Sequence, residues 1–147
     1  MTTAFSASEV ISRIDKKLAG SITGLSQNAL LVDKNFLREV LSYLQTTPGL
    51  DFDYLVNITA IDYWDYFEVV YQLASIKNNH QLTVKTRLAG RENLEVPSLF
   101  RLYKGADYQE REICDLLGIK FEGHPNLKPL LLWEGFKGYP LRKDYLE

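Results

Sequence analysis

The sequence predicts an α+β domain: an antiparallel β-meander covered by N-terminal helices, followed by a short helix and a long extended C-terminal tail. Three observations carry this. Apolar residues recur at helical spacing before Pro48, the period changes to two from Asp53 onward, and every period is lost after Gly118.

The elements follow in order. Ser6 and Glu9 have the spacing of a capping box, and Val10, Ile11, Ile14 and Leu18 continue it as one helical face. Lys16 and Lys17 suit the negative end of that helix, and Gly20 terminates it. The run ALLVD reads as a short strand. Asp33 then caps a second helix with Phe36, Leu37, Val40, Leu41 and Leu44 on one face, stopped before Pro48-Gly49.

Three alternating strands come next. Tyr54, Val56, Ile58 and Ala60 form the apolar set of the first, Phe67, Val69, Tyr71 and Leu73 of the second. Leu82, Val84, Thr86 and Leu88 form that of the third. Short turns join them, and His80 falls in the second turn. The helices cover one face of this meander and the other is wetter. Pro97 and Ser98 open a short helical stretch through Leu102. Asp107 is expected to cap the next helix, with Glu110 closing the box and Ile113, Leu116 and Leu117 facing inward. Gly118 ends it, so the chain divides into a core, residues 1–118, and a tail, residues 119–147.

The tail carries Phe121, Leu127, Leu130, Leu131, Leu132, Trp133, Phe136 and Tyr139 without forming an amphipathic element. Irregular segments of that length in compact domains tend to be functional. Its apolar content argues for packing on a surface rather than solvation. A partner surface is therefore expected, with Arg142 the candidate for a forked contact to its carboxylates or backbone carbonyls.

Composition narrows the function. A length of 147 residues fits one domain, and 46% hydrophobic with 24% charged residues describes a globular chain. A net charge of -2 leaves no electrostatic footprint for nucleic acid or an anionic membrane. Cys114 is the single cysteine, which excludes an internal disulfide and suits a reducing compartment. The opening MTTAFSASEV lacks the basic and apolar regions of a secretory signal, and no apolar run reaches the roughly 20 residues of a membrane span.

No catalytic set is complete. Glu110, Glu112 and Asp115 lie within two helical turns, a spacing open to acid–base work but equally that of a capped, ion-paired helix start. His124, in Gly-His-Pro, has only His80 and Cys114 as further soft ligands, too few for zinc. One thiol cannot hold an iron–sulfur cluster, and no glycine-rich phosphate loop occurs. The profile is that of an assembly component.

Two stretches sharpen it. EREICDLLGIKFEGHP, followed after an apolar run by GYPLRKDY, resembles the thirty-kilodalton (C-type) subunit family of respiratory complex I, the NADH:quinone oxidoreductase. Glu110, Arg111, Glu112, Asp115, Gly118, Phe121, Gly123, His124, Pro125 and Leu127 carry the first half, and Gly138, Pro140, Leu141, Arg142, Lys143, Asp144 and Tyr145 the second. The resemblance implies a non-catalytic peripheral-arm subunit with no redox centre of its own. Iron–sulfur clusters and quinone are then expected in partner subunits: the large quinone-site subunit (of the forty-nine-kilodalton, or D, type) and neighbouring iron–sulfur subunits. It also implies a peripheral membrane location on the cytoplasmic side, or the matrix or stromal side in an organelle. The donor would be NADH, ferredoxin or another carrier, with the equivalent subunit of an energy-converting NiFe hydrogenase as the alternative. The partner interface expected from the motif comprises Glu110, Arg111, Glu112, Asp115, Gly123, His124, Pro125, Pro140, Leu141, Arg142, Lys143 and Asp144.

Overall fold

A computed structural model describes residues 3–14, 18, 20–127, 132 and 137–145. The first strand, β1 (Thr3–Ala4), leads into helix α1 (Ala7–Arg13) and the hairpin of β2 (Ile22–Ser26) and β3 (Ala29–Val32). A 3-10 turn (Lys34–Phe36) opens helix α2 (Leu37–Thr46). Then come β4 (Tyr54–Asp62), β5 (Tyr66–Ser75), β6 (His80–Ala89) and β7 (Glu95–Pro97), helix α3 (Ala106–Leu117) and β8 (Lys120–Glu122).

The main sheet runs β2-β3-β6-β5-β4, with β1 added along β6. It is mixed rather than purely antiparallel. The β4–β5–β6 meander is antiparallel as expected, but β3 and β1 both pair with β6 in parallel. A parallel return needs a crossover, and α2 with the meander supplies it between β3 and β6. The second sheet, β7 with β8, is also parallel.

One face of the main sheet carries the core. Phe67, Val69, Tyr71 and Leu73 point into it beside Leu82, Val84 and Leu88, against Val10 of α1 and Leu37, Val40, Leu41 and Leu44 of α2. Burial of each such side chain is worth about 1.5–3 kcal/mol. Val96, Ile113, Leu117, Ile119 and Phe121 extend the same cluster, so α3 and the second sheet belong to the domain.

Several expectations are corrected. The helices are not all N-terminal, and no long extended tail occurs among the described residues. Residues 120–122 form β8, and 137–145 fold back onto the core. Ser6 makes no side-chain cap: its hydroxyl pairs with Ser8 Oγ at 2.8 Å, and Glu9 pairs with Arg13. Lys16 and Lys17 lie outside the described residues, as do Leu130, Leu131, Trp133 and Phe136. Phe36 is exposed at the N-cap of α2, and Asp33 caps the 3-10 turn ahead of that helix rather than the helix itself, accepting from the Asn35 N–H at 2.9 Å. In β4 a bulge between Leu55 and Asn57 moves Leu55 inward and leaves Tyr54 and Val56 exposed. Residues 98–102 make a single turn, not a helix. His80 is no turn residue: it starts β6, buried between the Phe5 and Phe52 rings.

Candidate functional site

The two halves of the terminal motif meet at helix α3. Its start holds Glu110, which does not close a box on its own helix. The carboxylate reaches across to the 98–102 turn, where Oε1 accepts from the Ser98 hydroxyl at 2.5 Å and Oε2 from the Leu99 N–H at 2.8 Å. Ser98 Oγ in turn accepts from the Phe100 N–H. Glu110 is fully buried, and that burial raises its pKa to about 7 against the pull of these two donors. The acid thus caps a neighbouring turn.

Arg38 of α2 secures the same region. Its Nε donates to the Ser98 carbonyl at 3.0 Å and its Nη2 to the Glu122 carbonyl. Gly123, with φ near 85°, leaves the space this guanidinium fills: a Cβ there would lie 2.7 Å from Arg38 Nη2. His124 Nδ1 accepts from the Asn126 N–H at 2.9 Å, and Nε2 faces the Asp107 carbonyl at 3.3 Å and its Oδ1 at 3.1 Å. The GHP turn is therefore tied back to the start of α3. Pro125 is exposed.

At the other end of α3, Gly118 adopts a left-handed φ of 76° and stops the helix. Here the second half of the motif returns. The Leu141 N–H donates to the Leu116 carbonyl at 3.0 Å. Arg142 Nε donates to the Leu117 carbonyl at 2.6 Å, and Nη1 to the Arg91 carbonyl at 3.0 Å. These bonds occupy carbonyls that a helix end leaves open, and they put a cation at its negative pole. Arg142 was expected to lie outside the core and anchor a partner. Instead its fork is spent within the chain, and its guanidinium lies 5.1 Å from the Phe67 ring centre and 4.7 Å from that of Tyr139.

Asp62 and Arg91, which lie outside both terminal motifs, form a second centre of the site. Asp62 Oδ1 accepts from Arg91 Nη1 at 2.7 Å and from the Trp64 N–H at 2.8 Å. Oδ2 accepts from Arg91 Nη2 at 2.7 Å and from the Lys143 N–H at 2.9 Å. Hydrogen bonding from Arg91 holds this carboxyl well below the usual range despite its burial. Arg91 Nε also donates to Asp144 at 3.1 Å, and its guanidinium sits 5.0 Å from Trp64 and 5.1 Å from Phe67. The signal was present: beyond the bulge Asp62 occupies an inward position of β4, and a buried charge needs a partner. Trp64 holds a left-handed φ of 70° at the hairpin tip, its backbone fixed by Asp62 and by Arg91 Nη1 on its carbonyl.

Of the remaining expected residues, Arg111 lies half-buried over the Tyr108 ring, and Asp115 accepts from the Leu132 N–H at 3.1 Å. Pro140 is half-buried, while Glu112, Leu141 and the Lys143 side chain are exposed. Glu112 and Leu141 rim a hollow of about 210 Å³ between the β4 edge and α3, floored by Ile58, Ile113 and Leu117. Among the described residues no three His, Cys, Asp or Glu side chains converge as a metal site, and no helix is long and apolar enough to cross a membrane. Burial raises the Cys114 thiol pKa, the opposite of an activated nucleophile.

Residues 30–147 match the profile of the family described as respiratory-chain NADH dehydrogenase, 30 Kd subunit. The NADH-quinone oxidoreductase C-type subunit numbered 2 of Rhizobium meliloti is 37% identical over 139 residues, covering 87% of this chain and 75% of that protein. The C-type subunit of Moorella thermoacetica is 41% identical over 124 residues, covering 83% and 82%. Its counterpart from Rhodopseudomonas palustris is longer: at 40% identity over 129 residues the match covers 86% of this chain and 62% of that one. Among solved structures, a chain from the membrane-bound sulfane sulfur reductase, an archaeal respiratory membrane complex, superposes with a TM-score of 0.76. That match has 24% identity and covers 94% of this chain and 84% of the other, which establishes a shared fold.

Proposed function

The chain belongs to the 30 kDa subunit family of the respiratory-chain NADH dehydrogenase, and from that premise we propose that it is a non-catalytic bracing subunit of a quinone oxidoreductase peripheral arm. It packs against the large quinone-site subunit, with iron–sulfur subunits as neighbours, and carries no redox centre itself. The electrons come from NADH or another donor and pass through the partners. The complex holds the chain at the membrane on the cytoplasmic side. The observation that carries this reading is a family match spanning both motif halves, from Glu110 to Tyr145.

The partner-facing region is α3 together with residues 119–147. Within it the geometry supports a division of labour. Glu110, Gly123, His124, Arg142 and Asp144 hold the region in shape, and Arg111, Asp115 and Pro140 border it. Glu112, Pro125, Leu141 and Lys143 remain exposed for contact. An exposed leucine beside an acid and a lysine suits a contact with an apolar centre and a charged rim.

The test is assembly in a host that makes the whole complex. A tagged chain should co-purify with the quinone-site subunit and comigrate on native gels. The double variant Leu141→Asp, Lys143→Glu should lose that comigration while melting as the parent does. Purification of the chain alone, from cells whose complex assembles normally without it, would overturn the proposal. So would a flavin band or stoichiometric iron in the isolated chain.

A further inference from the structure

We propose that residues 139–145 are an intramolecular strap that closes on the Asp62–Arg91 pair and opens as one unit while the sheet stays folded. The juxtaposition is specific. Four consecutive residues each grip the rest of the domain: Leu141 the end of α3, Arg142 that end and the Arg91 carbonyl, Lys143 the Asp62 carboxylate, Asp144 the Arg91 side chain. A slip by one residue breaks all four together, so the strap closes or opens as a whole. Gly118 makes the seat. A Cβ at this position would lie 2.6 Å from the Tyr139 ring and 2.7 Å from Arg142 Nη2.

The receptor survives without the strap. Asp62 keeps both arms of the Arg91 fork and the Trp64 N–H when Lys143 leaves, so no buried charge is orphaned. Strap groups that let go meet water, because Lys143 and Asp144 are exposed. Opening therefore costs less than unfolding the sheet, whose central strands bury side chains on the core face throughout. Closure fixes Tyr139 and Leu141 in place before any partner arrives, which removes an ordering cost from assembly. That consequence rests on the assembly reading; closure itself does not.

Hydrogen exchange on the full chain in isolation tests the strap. The Leu141 and Lys143 amides should exchange at least about tenfold more slowly than in an unstructured peptide, yet faster than the β5 and β6 amides. Asp144→Asn, at an exposed position, and Arg142→Ala should each erase about tenfold of strap protection and leave β5 and β6 protection unchanged. Asp62→Asn should act on the same amides: whichever way its amide turns, the NH₂ faces two donors. Strap amides that exchange freely in the parent chain would overturn the proposal and point to ordering by a partner. Strap amides that exchange only at the rate of the sheet would also overturn it, as would Asp144→Asn and Arg142→Ala both leaving strap exchange unaltered.

Discussion

Glu110 and Asp62 are both buried carboxylates, and the structure treats them in opposite ways. Glu110, at the start of α3, meets one hydroxyl and one peptide N–H, both neutral, and its pKa rises to about 7. Asp62, at the end of β4, meets a guanidinium fork and two peptide N–H groups, and its pKa falls. Burial alone therefore does not set the state of an acid. Dipoles offset only part of the desolvation cost, whereas a full positive charge at 2.7 Å reverses it. Glu110 therefore serves as a shape-holding cap that tolerates a proton, while Asp62 is a charged hub joining the β4–β5 hairpin, the Arg91 loop and the strap.

The largest effect should come from breaking the charged hub. Asp62→Ala takes the fork away from Arg91, which keeps Asp144 and the Trp64 carbonyl, and frees the Trp64 and Lys143 amides, at a cost of about 3 kcal/mol. Urea unfolding measures it; a loss comparable to that of a surface substitution would show the hub to be ornamental.

Acidity should separate the two carboxylates next. Glu110 is protonated more readily folded than unfolded, so its contribution is fully present below about pH 4.5 and is lost as pH rises through about 7. The loss is on the order of 3 kcal/mol. Asp62 runs the other way: its contribution is present above its ordinary value of 3.8 and fades as pH falls further. Thermal melts across pH 4–8 should decline toward neutrality, and Glu110→Gln should flatten that decline. A parent profile that rises from pH 5 to 7 would remove the contrast between the sites.

Smaller still is Gly118→Ala. Its left-handed backbone costs an alanine about 1 kcal/mol, and the methyl also pushes on Tyr139 and Arg142. The loss should therefore exceed the strain alone and be accompanied by faster exchange in residues 139–145. An effect confined to about 1 kcal/mol, with the strap undisturbed, would place the seat elsewhere. At the bottom of the scale, Glu112→Gln should change stability by less than about 0.5 kcal/mol, since the side chain is exposed. A larger change would mean that the division between holding and contacting residues is drawn wrongly.

Much of this was legible in the chain itself. The helix face of Leu37, Val40, Leu41 and Leu44 and the inward rows of β5 and β6 follow from period alone, because one buried face imposes one repeat. Gly118 read correctly as a helix stop, and the two terminal motifs read correctly as the family's. The β4 bulge did not show, since one extra residue leaves no composition signature and turns Tyr54 and Val56 outward. Nor did the parallel pairings, since β1, β7 and β8 are too short to carry a period and β3 meets β6 only across the intervening helix and meander.

Local pattern thus determined the long elements, the core-facing rows of α2, β5 and β6, and the family, because each depends on neighbours a few positions apart. Tertiary structure alone decided what the motif residues touch. Glu110 finds Ser98 at a separation of 12 residues, Arg142 finds Arg91 at 51, and Lys143 finds Asp62 at 81. No repeat links such positions; the sheet brings them together once closed, and only then is it settled that Arg142 and Asp144 grip their own chain.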